Sequence, residues 1–221
     1  MCGNRRRESV HEGARIKTID RRQHWSNVYT TKTERDVSWF EASPVVSLQL
    51  IEAAGLNHET CVLDVGGGES RLVDALLARG VTCIGVLDVA APALHRAQAR
   101  LGDKAADVAW IQADVTGVWS WKDVDIWHDR AVFHFLTDRA DRDRYKARLA
   151  EMLKRGGTAI IATFALDGPA KCSGLPVIRY SAETLASELG NEFELVDSRH
   201  HMHTTPWGTT QAFQYSRLKR T

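Results

Sequence analysis

The stretch from Val62 to Gly80 constrains this chain more than any other. It reads V-L-D-V-G-G-G-E-S-R-L-V-D-A-L-L-A-R-G: an apolar run holding Asp64, then Gly66, Gly67 and Gly68, then a helical pattern of Leu72, Val73, Leu76 and Leu77 closed by Gly80. Strand, glycine turn and helix in that order bring backbone amides and a helix N-terminus close to a ligand. The dinucleotide fingerprint needs G-x-G-x-x-G, and counting from Gly66 its third glycine falls at position 71, which is Arg71. That weakens a reading as an NAD site. A tight turn with no ligand is the plain alternative.

The rest of the chain alternates. Strand patterns at Cys61–Val65, Thr82–Leu87, Val108–Gln112, Val124–Trp127 and Thr158–Ala165 are separated by helical patterns, including Ala91–Leu101 and one holding Tyr145, Leu149, Met152 and Leu153. Ser43-Pro44 opens an earlier helix, with serine as its cap and proline at its first position. A short helix follows Ser181, and Phe193–His201 with Gln211–Leu218 reads as an antiparallel hairpin around T204-T-P-W-G208. The expected fold is α/β: a doubly wound, mostly parallel seven-stranded sheet with a C-terminal antiparallel hairpin. Residues 1–20 are polar and aperiodic and read as a flexible leader, with residues 21–221 as one domain. Ligands of such sheets bind beyond the carboxyl ends of the strands.

What stands at those ends is informative. Strand two finishes in Asp88, about 20 residues beyond Gly66, where an acid suits two ribose hydroxyls; Val89 follows it. Strand three is followed by Asp114 and Val115, an acceptor for an adenine amino group and a cover for a ring face. After strand four, His128, Asp129 and Arg130 interrupt an apolar stretch. Buried unpaired, each would cost on the order of 1–3 kcal/mol, so they are paired or face a cleft. An Asp129–Arg130 ion pair is the structural alternative.

Taken together, D-x-G-x-G, the strand-two acid, Ala-Asp-Val and the polar cluster resemble the successive motifs of class I S-adenosylmethionine-dependent methyltransferases. The resemblance covers residues 24 to 220, and Ser70 departs from it where a third glycine often stands. It implies S-adenosyl-L-methionine as cofactor. Asp64, Gly66, Gly67 and Gly68 would lie at its methionine part and Asp88 with Val89 at the ribose. Asp114 with Val115 would hold the adenine, and Asp129 would stand near the methionine amino group. The segment W25-x-x-x-Y29 … S38-W-F40 resembles an N-terminal aromatic cap found in a subset of the family, which implies that Trp25 and Tyr29 cover the cofactor. Trp39, His128, Arg130 and Cys172 are the expected acceptor contacts.

Methyl transfer from a sulfonium rests mainly on alignment. Where a base is needed, histidine has a suitable pKa, and His134 is the candidate. The acceptor is expected to be a small molecule, with a protein lysine residue as the alternative. An NAD-linked oxidoreductase or a non-catalytic nucleotide-binding module is the competing class. His201 and His203 would share a strand face near His200, but no third ligand is evident and no metal is expected. The chain's 29 basic and 28 acidic residues leave a net charge of +1, so no nucleic-acid partner is expected. No apolar run approaches the roughly 20 residues of a membrane span, nor is there a signal-peptide pattern. Cys61 and Cys83 read as small core residues, none of the cysteines forms a C-x-x-C pair, and a reduced, cytoplasmic protein is expected. Composition leaves the oligomeric state open.

Overall fold

The computed structural model describes residues 20–121 and 123–221; the expected leader, including Arg5, Arg6 and Arg7, lies outside them except for Asp20. A seven-stranded sheet runs in the order β3-β2-β1-β4-β5-β9-β8. Strands β1 (Cys61–Val65), β2 (Cys83–Asp88), β3 (Val108–Gln112), β4 (Val124–Arg130) and β5 (Leu153–Phe164) pair in parallel. The hairpin of β8 (Phe193–Thr204) and β9 (Thr210–Arg220) inserts β9 antiparallel against β5.

Helices cover both faces, as the two-sided burial of the central strands requires. Helices α2 (Val45–Ala53), α3 (Leu72–Ala78) and α4 (Ala91–Leu101) pack Leu50, Ile51, Leu72, Leu76 and Leu94 on Val62, Ile84, Ile126 and Ile160. On the other face α5 (Arg139–Met152) and α6 (Ala182–Leu189) bury Tyr145, Leu149 and Leu185 against Leu63, Trp127 and Ile161. Helix α1 (Arg21–Thr31) is different: Tyr29 is its one buried residue, and it lies along the carboxyl edge of the sheet against α4.

Three local expectations are corrected, and a small hairpin is added. Strand four does not stop at Trp127 but continues through Arg130. Alternation then sends His128 and Arg130 to the α2 face and Asp129 to the α5 face, so the polar cluster is divided between the two sides of the sheet. The cap of α2 is Pro44 rather than Ser43. The loop after β5 contains a small hairpin, β6 (Lys171–Cys172) and β7 (Leu175–Pro176), turning through Ser173 and Gly174 at φ 48° and 78°. Two consecutive left-handed residues are what a two-residue hairpin turn needs. Finally, Cys61 and Cys83 are not separate core residues. The β1–β2 register sets them opposite each other, Cα atoms 4.6 Å apart, and they form a disulfide. Their wide separation in the chain hid that pairing, and the bond removes the support that unpaired cysteines lent to a cytoplasmic location.

Candidate active site

The glycine turn is shaped by what surrounds it. Gly66 and Gly68 have φ of 66° and 45°, a region costly for residues with a side chain. A Cβ on Gly68 would stand 2.8 Å from the Tyr29 hydroxyl and 3.0 Å from Asp88 Oδ2; one on Gly67 would stand 2.7 Å from Asp64 Oδ2. The turn therefore packs directly on the two acids and on the N-terminal helix, and no side chain intervenes.

Two cavities meet over this turn, their space of about 740 and 620 Å³ including the open solvent at their mouths. Tyr29, Trp39, Gly66 and Arg130 line both. The first runs past Asp88 and Val89 to Asp114 and Val115. Its roof is α1, whose Arg21, Trp25 and Tyr29 recur at helical spacing along its length. Trp25 meets Trp39 and Phe135 edge-to-face, with ring centroids 5.7 and 5.0 Å apart. Arg21 closes the far end, 3.3 Å from Asp114 Oδ2 and in contact with Asp141. The second cavity holds Asp64, Gly67, His128, Glu41, Ser47 and Arg71.

Asp88 is 6% exposed and its Oδ1 accepts the Ala90 amide at 2.8 Å. Burial, with Asp64 nearby, pushes its carboxyl up to about 7. Asp114 Oδ1 accepts from the Thr116 amide and hydroxyl at 2.8 and 2.7 Å, and these bonds and Arg21 outweigh burial to hold its carboxyl below the usual range. Asp64 and Arg71 line the second cavity; Asp64 Oδ2 and Arg71 Nε are buried without hydrogen-bond partners, while Arg71 Nη2 donates to Glu34 Oε2 at 2.6 Å. An unpaired acceptor and an unpaired donor in one cavity match the ammonium and carboxylate of an amino acid. Together with Asp88 and Asp114, they fit the groups of S-adenosylmethionine in order along one groove.

Arg130 ties the sheet to the segment between α1 and α2. Its Nε donates to the Tyr215 hydroxyl at 3.0 Å and its Nη1 to the Trp39 carbonyl at 2.8 Å. Glu41 lies 3.0 Å away and the Phe213 ring centroid 4.8 Å away. His203 donates to the Ser38 carbonyl at 2.6 Å, so the strap 38–41 is anchored at both ends.

Other expected site residues stand elsewhere. Asp129 is fully buried on the α5 face, where it accepts from Tyr145 Oη at 2.7 Å and from the Val132 and Phe133 amides. Burial raises its carboxyl to about 6. His134 is fully buried and lines neither cavity; its Nδ1 accepts the Phe164 amide at 3.2 Å, and burial with Arg130 nearby lowers its pKa to about 3. Cys172 is buried behind the strap beside Ser38, its thiol pushed up to about 11 by burial, and it too lines neither cavity. His200 pairs with exposed Asp167, while His203 is turned inward to the strap. Residues not anticipated from sequence are Arg21, Glu41, Ser47, Arg71 and Phe135. Of these, only Arg21 carried a signal, its spacing with Trp25 and Tyr29.

Residues 62–157 match the family model described as a methyltransferase domain. Over 105 residues the chain is 34% identical to uncharacterized methyltransferases of Mycobacterium tuberculosis and Mycobacterium bovis, covering 47% of this chain and 50% of theirs. The chain thus spans about half the length of the curated relatives it matches. In fold it resembles the Burkholderia thailandensis 1,6-didemethyltoxoflavin N1-methyltransferase, solved with its substrate and S-adenosylhomocysteine. The TM-score is 0.71 at 22% identity, covering 90% of this chain and 87% of that one. The N-methyltransferase NodS of Bradyrhizobium japonicum, solved with S-adenosylhomocysteine, gives 0.65 at 17% identity, covering 88% and 97%. Its matched segment is that of a methyltransferase domain, and its fold is the one seen in these S-adenosylhomocysteine-bound methyltransferases. The dinucleotide-oxidoreductase alternative has no support in these likenesses.

Proposed function

We propose that the protein transfers a methyl group from S-adenosylmethionine to a small-molecule acceptor. The observation that carries this reading is the single groove in which Asp114, Asp88 and the unpaired Asp64 and Arg71 atoms follow one another. When bound there, the cofactor supplies an activated methyl on a sulfonium, a group that needs alignment more than activation. Asp88 accepts the ribose hydroxyls, Asp114 and Val115 hold the adenine, and Arg71 receives the carboxylate. Trp25, Trp39 and Phe135 form an apolar wall that excludes water. Arg130, at the junction of the cavities, holds Trp39 in place through its carbonyl.

An acceptor of limited size is favoured because α1 and the strap roof both cavities. A protein lysine is the second reading, and it would have to enter as a narrow side chain. Among the described residues no helix is long and apolar enough to cross a membrane.

Calorimetry with S-adenosylhomocysteine and with NAD tests the cofactor. We expect binding of the former near 1 μM, about −8 kcal/mol, and none of the latter. Incubating the protein with methyl-labelled cofactor and a cell extract then separates label on small molecules from label on protein. Label on protein alone would reverse the acceptor assignment.

A further inference from the structure

Two hydrogen-bonded groups of polar side chains stand on the α2 face, and strand register lays them out. Asp64 and His128 are direct neighbours on the parallel strands β1 and β4, and His128 Nδ1 lies 2.7 Å from Asp64 Oδ1. Arg130 stands two residues on, in a row with Ala162 of β5 and Tyr215 of β9. Ala162 is small, so the Arg130 side chain crosses it to reach the Tyr215 hydroxyl at 3.0 Å. Ser47 of α2 stands 2.9 Å from His128 Nε2, so that Ser47, His128 and Asp64 form one hydrogen-bonded relay.

The direction of the bonds at Arg130 and at Asp64 is set by the groups themselves. A guanidinium only donates and a carboxylate only accepts. Arg130 Nε–H therefore donates to Tyr215, and His128 Nδ1–H to Asp64 Oδ1. Asp64, which lines the second cavity, is 2% exposed and is left with one unpaired oxygen, Oδ2.

We propose that His128, held by Ser47, is a positioning residue that aims Asp64 Oδ2 at the amino group of the cofactor's amino-acid end. The relay thereby sets the preference for adenosyl thioethers that carry this end over those that lack it. This rests on the reading of the groove as the cofactor site.

The test is calorimetry of the full chain with S-adenosylhomocysteine and with 5′-methylthioadenosine, which has no amino-acid end. His128→Leu removes the donor to Asp64. We expect it to weaken S-adenosylhomocysteine by roughly tenfold or more and 5′-methylthioadenosine by less than about twofold. His128→Asn places an amide N–H near the lost Nδ1–H and should restore most of the preference. If His128→Leu does not fold, Ser47→Ala is the smaller lesion, expected to cost S-adenosylhomocysteine alone about threefold or more. Equal losses for the two ligands, or an unchanged ratio in the variant that folds, overturn the positioning role. Failure of the parent protein to bind either ligand overturns the cofactor reading instead.

Discussion

Arg130 holds the backbone of Trp39: its Nη1 donates to the Trp39 carbonyl at 2.8 Å while the same guanidinium pairs with Glu41 two residues later. One side chain of β4 thus fixes both the wall residue of the two cavities and the acid beside it. Replacing Arg130 by Met leaves the Glu41 carboxylate, 16% exposed, with His203 alone as a partner. The expected loss of stability is roughly 3 kcal/mol, near the lower end for breaking a buried pair because these groups keep some solvent contact. Combining Arg130→Met with Glu41→Leu should recover part of it, and urea unfolding of the four proteins measures the coupling. Additive losses would show that the pair holds nothing together.

Gly66→Ala should be far more harmful than Gly55→Ala. Both glycines have positive φ, 66° and 94°, so backbone strain is common to the two. Only at Gly66 would the new methyl overlap the Val132 side chain, whereas Gly55 has open space. We expect Gly55→Ala to retain S-adenosylhomocysteine binding and Gly66→Ala to lose it by tenfold or more, on the order of 1.4 kcal/mol. Equal affinity in the two variants would mean that the turn does not approach the ligand.

Cofactor affinity should depend on pH through Asp88. Its carboxyl sits at about 7 in the free protein, and the form that accepts two ribose hydroxyls is the carboxylate. Affinity is therefore expected to rise as pH increases through 7, with proton release on binding below that value. For the free protein the sign is the opposite. A folded-state pKa raised above its unfolded value contributes stability present below the ordinary carboxylate range and lost as pH rises through 7. Asp129, at about 6, acts in the same direction. Asp88→Asn should flatten the pH dependence of binding, measurable by calorimetry in buffers of different ionisation enthalpy.

His134→Ala tests base against scaffold. As a scaffold residue, His134 satisfies the Phe164 amide, and its loss should cost about 1–3 kcal/mol of stability. The shape of the pH–rate profile should stay as in the parent. Its depressed pKa also gives a stability contribution complete above the unfolded value and lost as pH falls toward about 3. The variant should therefore lose less stability on acidification. An acidic limb that disappears from the rate profile would instead establish His134 as the base.

Local chemistry in the sequence determined the order of elements, the glycine turn and the acids ending strands two and three. Periodicity and strand-end position depend on neighbours in the chain, so V62-L-D-V-G-G-G, Asp88 and Asp114 were legible there. The fate of His128, Asp129 and Arg130 was not. Three consecutive polar residues look alike in sequence, and only the continuation of β4 through Arg130 sent Asp129 to Tyr145 and its two neighbours to the α2 face. Register is equally invisible along the chain. It set Cys61 against Cys83, Asp64 against His128, and Arg130 in line with Tyr215 across the small Ala162. Tertiary structure alone decided those pairings, because a hydrogen bond between strands depends on which residues stand level in the sheet, and that is settled by the packing of the whole molecule.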